Sequence, residues 1–261
     1  MMIRFTRRIR RSTLACSMLA ATSFGTTGVV PDSPPIAPRR PATGRIEGTV
    51  VISPALTTRR PQFRIYSDPG AGGAPSPAPR EPLAAEVRNV ILYLEGDSAL
   101  LAGSADQLAS HRRGSISQRD ERFVPHVRAI ARGGTIDFPN DDDVFHNVYS
   151  LSRTAGPSGY DLGRYPKGDS RAQTFTKSGT VQVFCHIHSD MSAIVLVLDN
   201  PFFALPDENR RYAIENVPEG EYTIMGWHER IRPVTRRVRV TAGQTSIVDF
   251  NIPLPQGGGQ P

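Results

Sequence analysis

The stretch FCHIHSDMSAIVLVL, Phe184 to Leu198, ends in six consecutive apolar residues, Ala193 to Leu198, three of them β-branched. A run this short and apolar, bounded by a polar loop, reads as a buried closing strand. Before the loop, TVQVF (Thr180 to Phe184) alternates in polarity as a half-buried strand does, with Gly179 as its turn. Working upstream, the same texture recurs as FVPHVRAI (123–130), the pair Gly133–Gly134, TIDF (135–138), the turn PNDDD (139–143) and VFHNVYS (144–150). Short strands at regular spacing with turn residues between them predict an all-β sandwich. Downstream, RYAIENV (211–217), EYTIMGW (221–227), TRRVRV (235–240) and TSIVDFNI (245–252) predict four more strands, separated by Pro218 to Gly220 and Thr241 to Gly243. These form a second, smaller β unit.

The loop itself carries the chemistry. Cys185, His188 and Met191 follow one another at spacings of three, and His146 lies upstream in VFHNVYS. One thiolate, two imidazoles and a thioether are the ligand types of a blue-copper centre, which holds a single copper ion. A Cys ending one strand and a Met opening the next let the loop wrap its His and Met around one ion, while a distant strand supplies the other His. The donors mix softness that suits Cu(I) with imidazole that suits both oxidation states, which points to one-electron transfer. Zinc is the rival, but a structural zinc site would want an N, S or O donor such as Asp190 in place of the thioether. Met191 and Met225 are the only methionines beyond the first 28 residues.

At these residues the sequence resembles the cupredoxin family, a Greek-key β-sandwich of plastocyanin-like blue-copper proteins, and within it the amicyanin-like type with the short ligand loop. The resemblance covers about residues 123–198, with Val87 to Leu94 (VRNVILYL) as an additional strand, and includes Gly133–Gly134, the FPN turn (138–140), the His146–Asn147 pair and Phe184 before the Cys. It implies His146, Cys185, His188 and Met191 as copper ligands, and Asn147 as the residue that ties the two ligand loops together. It also implies an electron carrier, not an enzyme, that serves an unidentified redox protein. Ile187, Ser189 and Asp190 depart from the prolines and aromatic that flank the loop His in amicyanin-like proteins, so the partner-docking face is altered. Members of this group are often labelled methylamine-utilisation proteins. Two alternatives stay open: a copper-handling protein without an electron-transfer role, and a structural envelope β-sandwich.

The remaining histidines read blandly. His186 should face away from Cys185 along a strand; His111 and His126 read as loop and surface residues, and His228 as packing at a strand end. Asp141, Asp142 and Asp143 read as a solvated turn. No nucleophile elbow or positioned catalytic triad is visible.

The second unit, Asp207 to Ile252, resembles the carboxypeptidase regulatory-like, transthyretin-like β module on the strand, the V-P-x-G turn (Val217 to Gly220) and the Y-T-I strand (Tyr222 to Ile224). Its missing strand could be GRIEGTVVI (44–52), which would make the copper unit an insertion.

The 261 residues carry 31 basic and 25 acidic side chains, but Arg4, Arg7, Arg8, Arg10 and Arg11 supply five of the six excess positive charges, and residues 1–28 hold no acid. The basic balance therefore does not point to nucleic acid. Basic residues to Arg11 and an uncharged stretch from Ser12 to Val30 have the layout of an export signal, too short and polar for a permanent span. The expectation is a periplasmic or secreted monomer, the alternative an uncleaved or lipidated N-terminal anchor, with Arg7–Arg8 as a weak twin-arginine sign. Cys16 would leave with the signal, and Cys185 would remain as a lone thiol that needs an explanation in an oxidising compartment. The organisation predicted is a signal (1–28), a Pro-rich linker (29–43), a first strand and long loop (44–86), the copper unit (87–199), the second unit (200–254) and a flexible tail (255–261).

Overall fold

The computed structural model describes residues 42–53, 56, 86–96, 100–152 and 159–253. The expected signal, nearly all of the linker and long loop, and the tail lie outside the described residues. Eighteen strands lie within them: β1 (Thr43–Ile52), β2 (Ile91–Glu95), β3 (Arg113–Ser115), β4 (Ser117–Arg119), β5 (Arg122–Val124), β6 (Val127–Ala131), β7 (Gly134–Pro139), β8 (His146–Ser150), β9 (Tyr160–Tyr165), β10 (Ser170–Phe175), β11 (Gly179–Phe184), β12 (Ser192–Leu198), β13 (Phe203–Ala204), β14 (Arg211–Pro218), β15 (Gly220–Trp227), β16 (Val234–Val240), β17 (Thr245–Ile247) and β18 (Phe250–Ile252). A short helix, α1 (Ala105–His111), is capped by Ser104, whose side chain accepts the Gln107 N–H while the Gln107 side chain accepts that of Ser104. No described helix is long and apolar enough to cross a membrane.

The fold is all-β, as the strand rhythm predicts, and it forms two sandwiches. In the first, the sheet β6-β12-β11-β8-β9 packs on β10-β7-β3, with the β4–β5 hairpin at one end. Alternation places Ile136 and Phe138 of β7, Val181 and Val183 of β11, and Ala193, Val195 and Val197 of β12 in one buried core. The β6–β7 turn needs its glycines: Gly133 has φ +80°, and a Cβ on Gly134 would sit 2.5 Å from the Ile130 side chain.

In the second sandwich, β14-β1-β17, with β18 also on β1, faces β13-β2-β15-β16. Val50, Leu92, Ile214, Ile224, Val238 and Phe250 lie in its core. Strand β1 pairs antiparallel with β14, so the first strand completes the C-terminal sheet. The elements β3 to β12 therefore lie, in the chain, between β2 and β13 of the other sandwich.

Three expectations need correction. The segment Val87–Leu94 is not a strand of the copper unit: β2 pairs with β15 and β13. Its ILYL run is apolar on both faces because Leu92 and Leu94 enter the second core while Ile91 enters a third cluster between the sandwiches. That cluster also takes Ile194, Leu196 and Leu198, the opposite face of β12, and Val127, Ala129 and Ala131 of β6. Second, the strand rhythm read from Phe123 onward misses two strands within residues 95–122: besides α1 these hold β3, which pairs parallel with β7, and β4, which pairs with β5. Third, FVPHVRAI is two strands, β5 and β6, each with its own partner.

Candidate metal centre

Strand β8 delivers His146 at its first residue, and Cys185 follows the last residue of β11. The loop 185–191 then carries His188 and returns at Met191, just before β12; the Met191 N–H donates to the His188 carbonyl at 3.1 Å. Cys185 and Met191 both belong to the first core. Cys185 is 4% exposed, Met191 1% and His146 fully buried, while His188 is half-buried.

The fold brings the donors from β8 and the loop together. Cys185 Sγ lies 3.9 Å from His146 Nδ1 and 3.9 Å from His188 Nδ1, and the two Nδ1 atoms are 3.0 Å apart. Atoms sharing one ion at ordinary lengths, about 2.0–2.1 Å to imidazole and about 2.3 Å to thiolate, fall at such separations. His146, Cys185 and His188 thus form a site that can hold a metal, and Met191 belongs to the same buried core as Cys185.

The protonation pattern agrees with that use. His146 Nε2 lies 2.8 Å from Asp142 Oδ2; an ionised carboxylate only accepts, so the ring proton sits on Nε2 and the Nδ1 lone pair faces Cys185 and His188. Burial pushes the Asp142 carboxyl up, but the Glu121 N–H, the His146 ring and the Asp120 N–H together outweigh it and hold the carboxyl below its ordinary range. Burial also pushes His188 down, with Glu121 opposing and His146 adding to the effect. The first keeps Asp142 an acceptor for the His146 ring, and the second favours a neutral His188 ring available as a ligand.

Asp142 is a residue that the reading of a solvated turn missed. The β4–β5 turn places Asp120 and Glu121 at φ 53° and 52°, and their N–H groups donate to Asp142 Oδ1 and Oδ2 at 2.7 and 2.9 Å. Asn140 of the FPN turn accepts the Asp142 N–H at 3.0 Å and donates to the carbonyls of Val144 and Tyr165. Asp141, though exposed, accepts from Ser117 and Arg119, and Asp143 stands in solvent, paired with Lys167. The acidic run is a clamp holding the hairpin against the His146 loop. The sequence signal for it was the Asp at four residues before a His.

Asn147 lies beside the site: its Oδ1 accepts the His186 N–H at 2.7 Å and its Nδ2 donates to Asp161 at 3.1 Å, so it links β8 to the Cys185 loop. His186 turns away from the donors and stacks flat on Tyr149, ring centroids 3.6 Å apart. His188 is the one donor that reaches the surface, where Val144, Phe145, Ile187 and Arg164 border it; Phe145 is 57% exposed. His126 and His228 lie elsewhere, at the junction of the sandwiches.

No protein-family model matches the chain, and no curated protein matches it. Among solved structures the chain is similar to a Cu-containing nitrite reductase from Thermus scotoductus SA-01 (26% identity, 33% of this chain and 22% of that one, TM-score 0.30). It is also similar to a reduced Cu(I) form of an amicyanin variant (19% identity, 41% of this chain and 98% of that one, TM-score 0.31). A purple cupredoxin from Nitrosopumilus maritimus matches at 21% identity over 33% of this chain and 99% of that one, TM-score 0.30. The chain thus spans about a fifth of the nitrite reductase's length, 22%.

Proposed function

We propose that this protein is an exported electron carrier built around one type 1 copper ion, held by His146, Cys185, His188 and Met191. The observation that carries this reading is the convergence of Cys185 Sγ and two imidazole Nδ1 atoms, 3.9, 3.9 and 3.0 Å apart, at the buried rim of a β-sandwich. Copper bound by a thiolate, two imidazoles and a thioether supplies reversible one-electron chemistry.

The chain's own residues keep that site rigid. Asp142 fixes the orientation and tautomer of His146, Asn147 pins the Cys185 loop to β8, and the packed core immobilises Cys185 and Met191. Donors that cannot move are compatible with both oxidation states only as a compromise, and a compromise geometry needs little rearrangement when the charge changes. His188, bordered by Val144, Phe145 and Ile187, is the exit for the electron toward a redox protein with an apolar contact face. The protein is then a carrier, not an enzyme. Its second β unit, carboxypeptidase regulatory-like in its strand and turn pattern, serves as a non-catalytic scaffold, and the basic and apolar N-terminal stretch directs the chain to the periplasm or the medium.

Loading the mature chain with Cu(II) and recording visible and EPR spectra tests this reading. The expected result is an intense blue thiolate-to-copper band and a narrow copper hyperfine splitting, both lost in Cys185→Ser. A pale complex, or a preference for zinc, would move the protein to metal handling.

A further inference from the structure

One unmatched charge stands at the rim of the metal centre. Strand β9 runs beside β8, with Tyr165 opposite His146, Arg164 opposite Asn147 and Asp161 opposite Tyr149. Leu162 and Gly163 of β9 therefore share the single place opposite Val148, which makes a bulge. Gly163 takes φ +73° there, a left-handed value that glycine adopts without penalty. Its N–H donates to Asp161 Oδ1 at 2.8 Å, the same oxygen that accepts the Asn147 side chain. The bulge resets the alternation of β9: Tyr165 enters the first core, and Arg164 faces solvent beside His188, where it borders Val144, Phe145 and Ile187.

The cations that follow it in the chain are held. Lys167 pairs with Asp143 at 2.8 Å, and Arg171 donates to the Leu162 carbonyl and lies 5.5 Å over the Tyr165 ring. Among the described residues the Arg164 side chain has no ion pair or hydrogen bond. Glu121 on the β4–β5 turn acts on the His188 ring more strongly than Asp142 does, so the rim carries both signs and Arg164 is a local cation. A partner that covers the exposed Val144, Phe145 and Ile187 to reach His188 covers Arg164 as well. Taking a guanidinium out of water without an acceptor is costly, and its planar fork of N–H donors matches a carboxylate. A partner face that is apolar throughout, or basic at that point, is therefore rejected.

We propose that Arg164 selects and orients the redox partner on this face by meeting a carboxylate set in the partner's apolar contact surface. The proposal rests on the reading of His188 as the electron exit. Arg164 holds no metal and makes or breaks no bond; it favours one docking orientation. A charge at the rim of an interface changes the rate of encounter and its salt dependence more than the strength of the complex.

The test uses the full mature chain loaded with Cu(I), as wild type, Arg164→Ala and Arg164→Lys. Hexacyanochromate(III), a redox-inert paramagnetic anion, is added at low ionic strength and followed by NMR. Signals of Phe145, Ile187 and His188 should broaden in wild type, broaden at least about 3-fold less in Arg164→Ala, and recover in Arg164→Lys, which restores the charge. Equal broadening in wild type and Arg164→Ala, or none at this face in wild type, overturns the proposal. The same chains are then oxidised in stopped flow by two cobalt(III) complexes, the anionic, carboxylate-bearing bis(dipicolinate) and the cationic tris(phenanthroline). Each Co(III) takes the one electron that Cu(I) gives up, leaving Co(II) and Cu(II). Arg164→Ala should slow the anionic oxidant about 3–10-fold at about 0.01 M salt and speed the cationic one, and both differences should close near 1 M, where screening acts within about 3 Å. Rates indifferent to Arg164→Ala in a chain that turns blue on oxidation would sink this proposal alone. Absence of the blue spectrum would sink the copper reading, and the proposal with it.

Discussion

The two sandwiches differ less in how they fold than in what their cores end on. The second is filled by Ile, Val, Leu, Phe and Tyr, with no metal-type donor among its core residues. The first has a core of similar composition, but Cys185 and Met191 are part of it and His146 stands fully buried at its edge. The chain order sharpens the contrast: the donor-bearing sandwich is inserted between β2 and β13 of the plain one. Strands β2 and β12 are apolar on both faces because a third cluster joins the two.

The sharpest way to break that picture is Leu196→Asp. Leu196 is 5% exposed and lies in the cluster between the sandwiches. An unpaired carboxylate there should destabilise by more than about 4 kcal/mol and separate one unfolding transition into two in denaturant titrations read by fluorescence and far-UV CD. An unchanged single transition would mean the sandwiches do not depend on this wall. Truncating one large side chain in each core then compares the units directly. Phe138→Ala and Phe250→Ala, both in fully buried positions, should each cost about 3–5 kcal/mol. Metal affinity, measured by equilibrium dialysis, should fall for Phe138→Ala, whose core includes Cys185 and Met191, and stay within error for Phe250→Ala.

Asp142→Asn is the next step down. The amide keeps one acceptor but sets an NH2 group against donors now satisfied by Oδ2, the Glu121 N–H and the His146 ring. Metal affinity should drop by about 10–100-fold with a loss of folding stability of about 1–3 kcal/mol. Equal metal affinity in wild type and variant would show that the hairpin clamp does not reach the His146 ring.

Much of this was legible in the chain, and the exceptions have physical causes. The six-residue run of β12 announces a buried strand, and CHIHSDM with His146 supplies the donors the fold brings together. What a run such as ILYL cannot reveal is which sheets cover it: burial on two faces is visible as composition, whereas the partner of β2 is set by pairing with β15, more than a hundred residues away. Strands β3, β4 and β10 escaped because they are mostly polar, with Phe175 the one buried residue of β10. An Asp-rich turn looks the same in sequence whether solvent or a hairpin's N–H groups occupy its oxygens, so Asp142 stayed hidden. His126 and Glu229 meet at the junction of the sandwiches only through tertiary packing and leave no local pattern.

The smallest expected effect compares two aspartates that accept backbone N–H groups, one in each sandwich. Asp249 is exposed, and its Oδ1 accepts both the N–H and the hydroxyl of Thr49, at 2.8 and 2.7 Å, linking the approach to β18 with β1. The Thr49 hydroxyl and then its N–H lower the carboxyl pKa against a weak opposing effect of burial. A depressed folded-state pKa stabilises the protein fully above the unfolded value, about 3.9, and the gain disappears as pH falls through the lower folded value. Asp249→Asn should therefore cost under about 1 kcal/mol near neutrality, discounted for solvent screening. That difference should hold steady down to about pH 5, shrink below about pH 4 and vanish once both forms are protonated. Chemical denaturation of both proteins from pH 7 to pH 3 measures it. A difference that persists at pH 3 would show that Asp249 acts through shape and not through its charge, and the likeness to Asp142, whose charge is held behind a metal-type histidine, would end there.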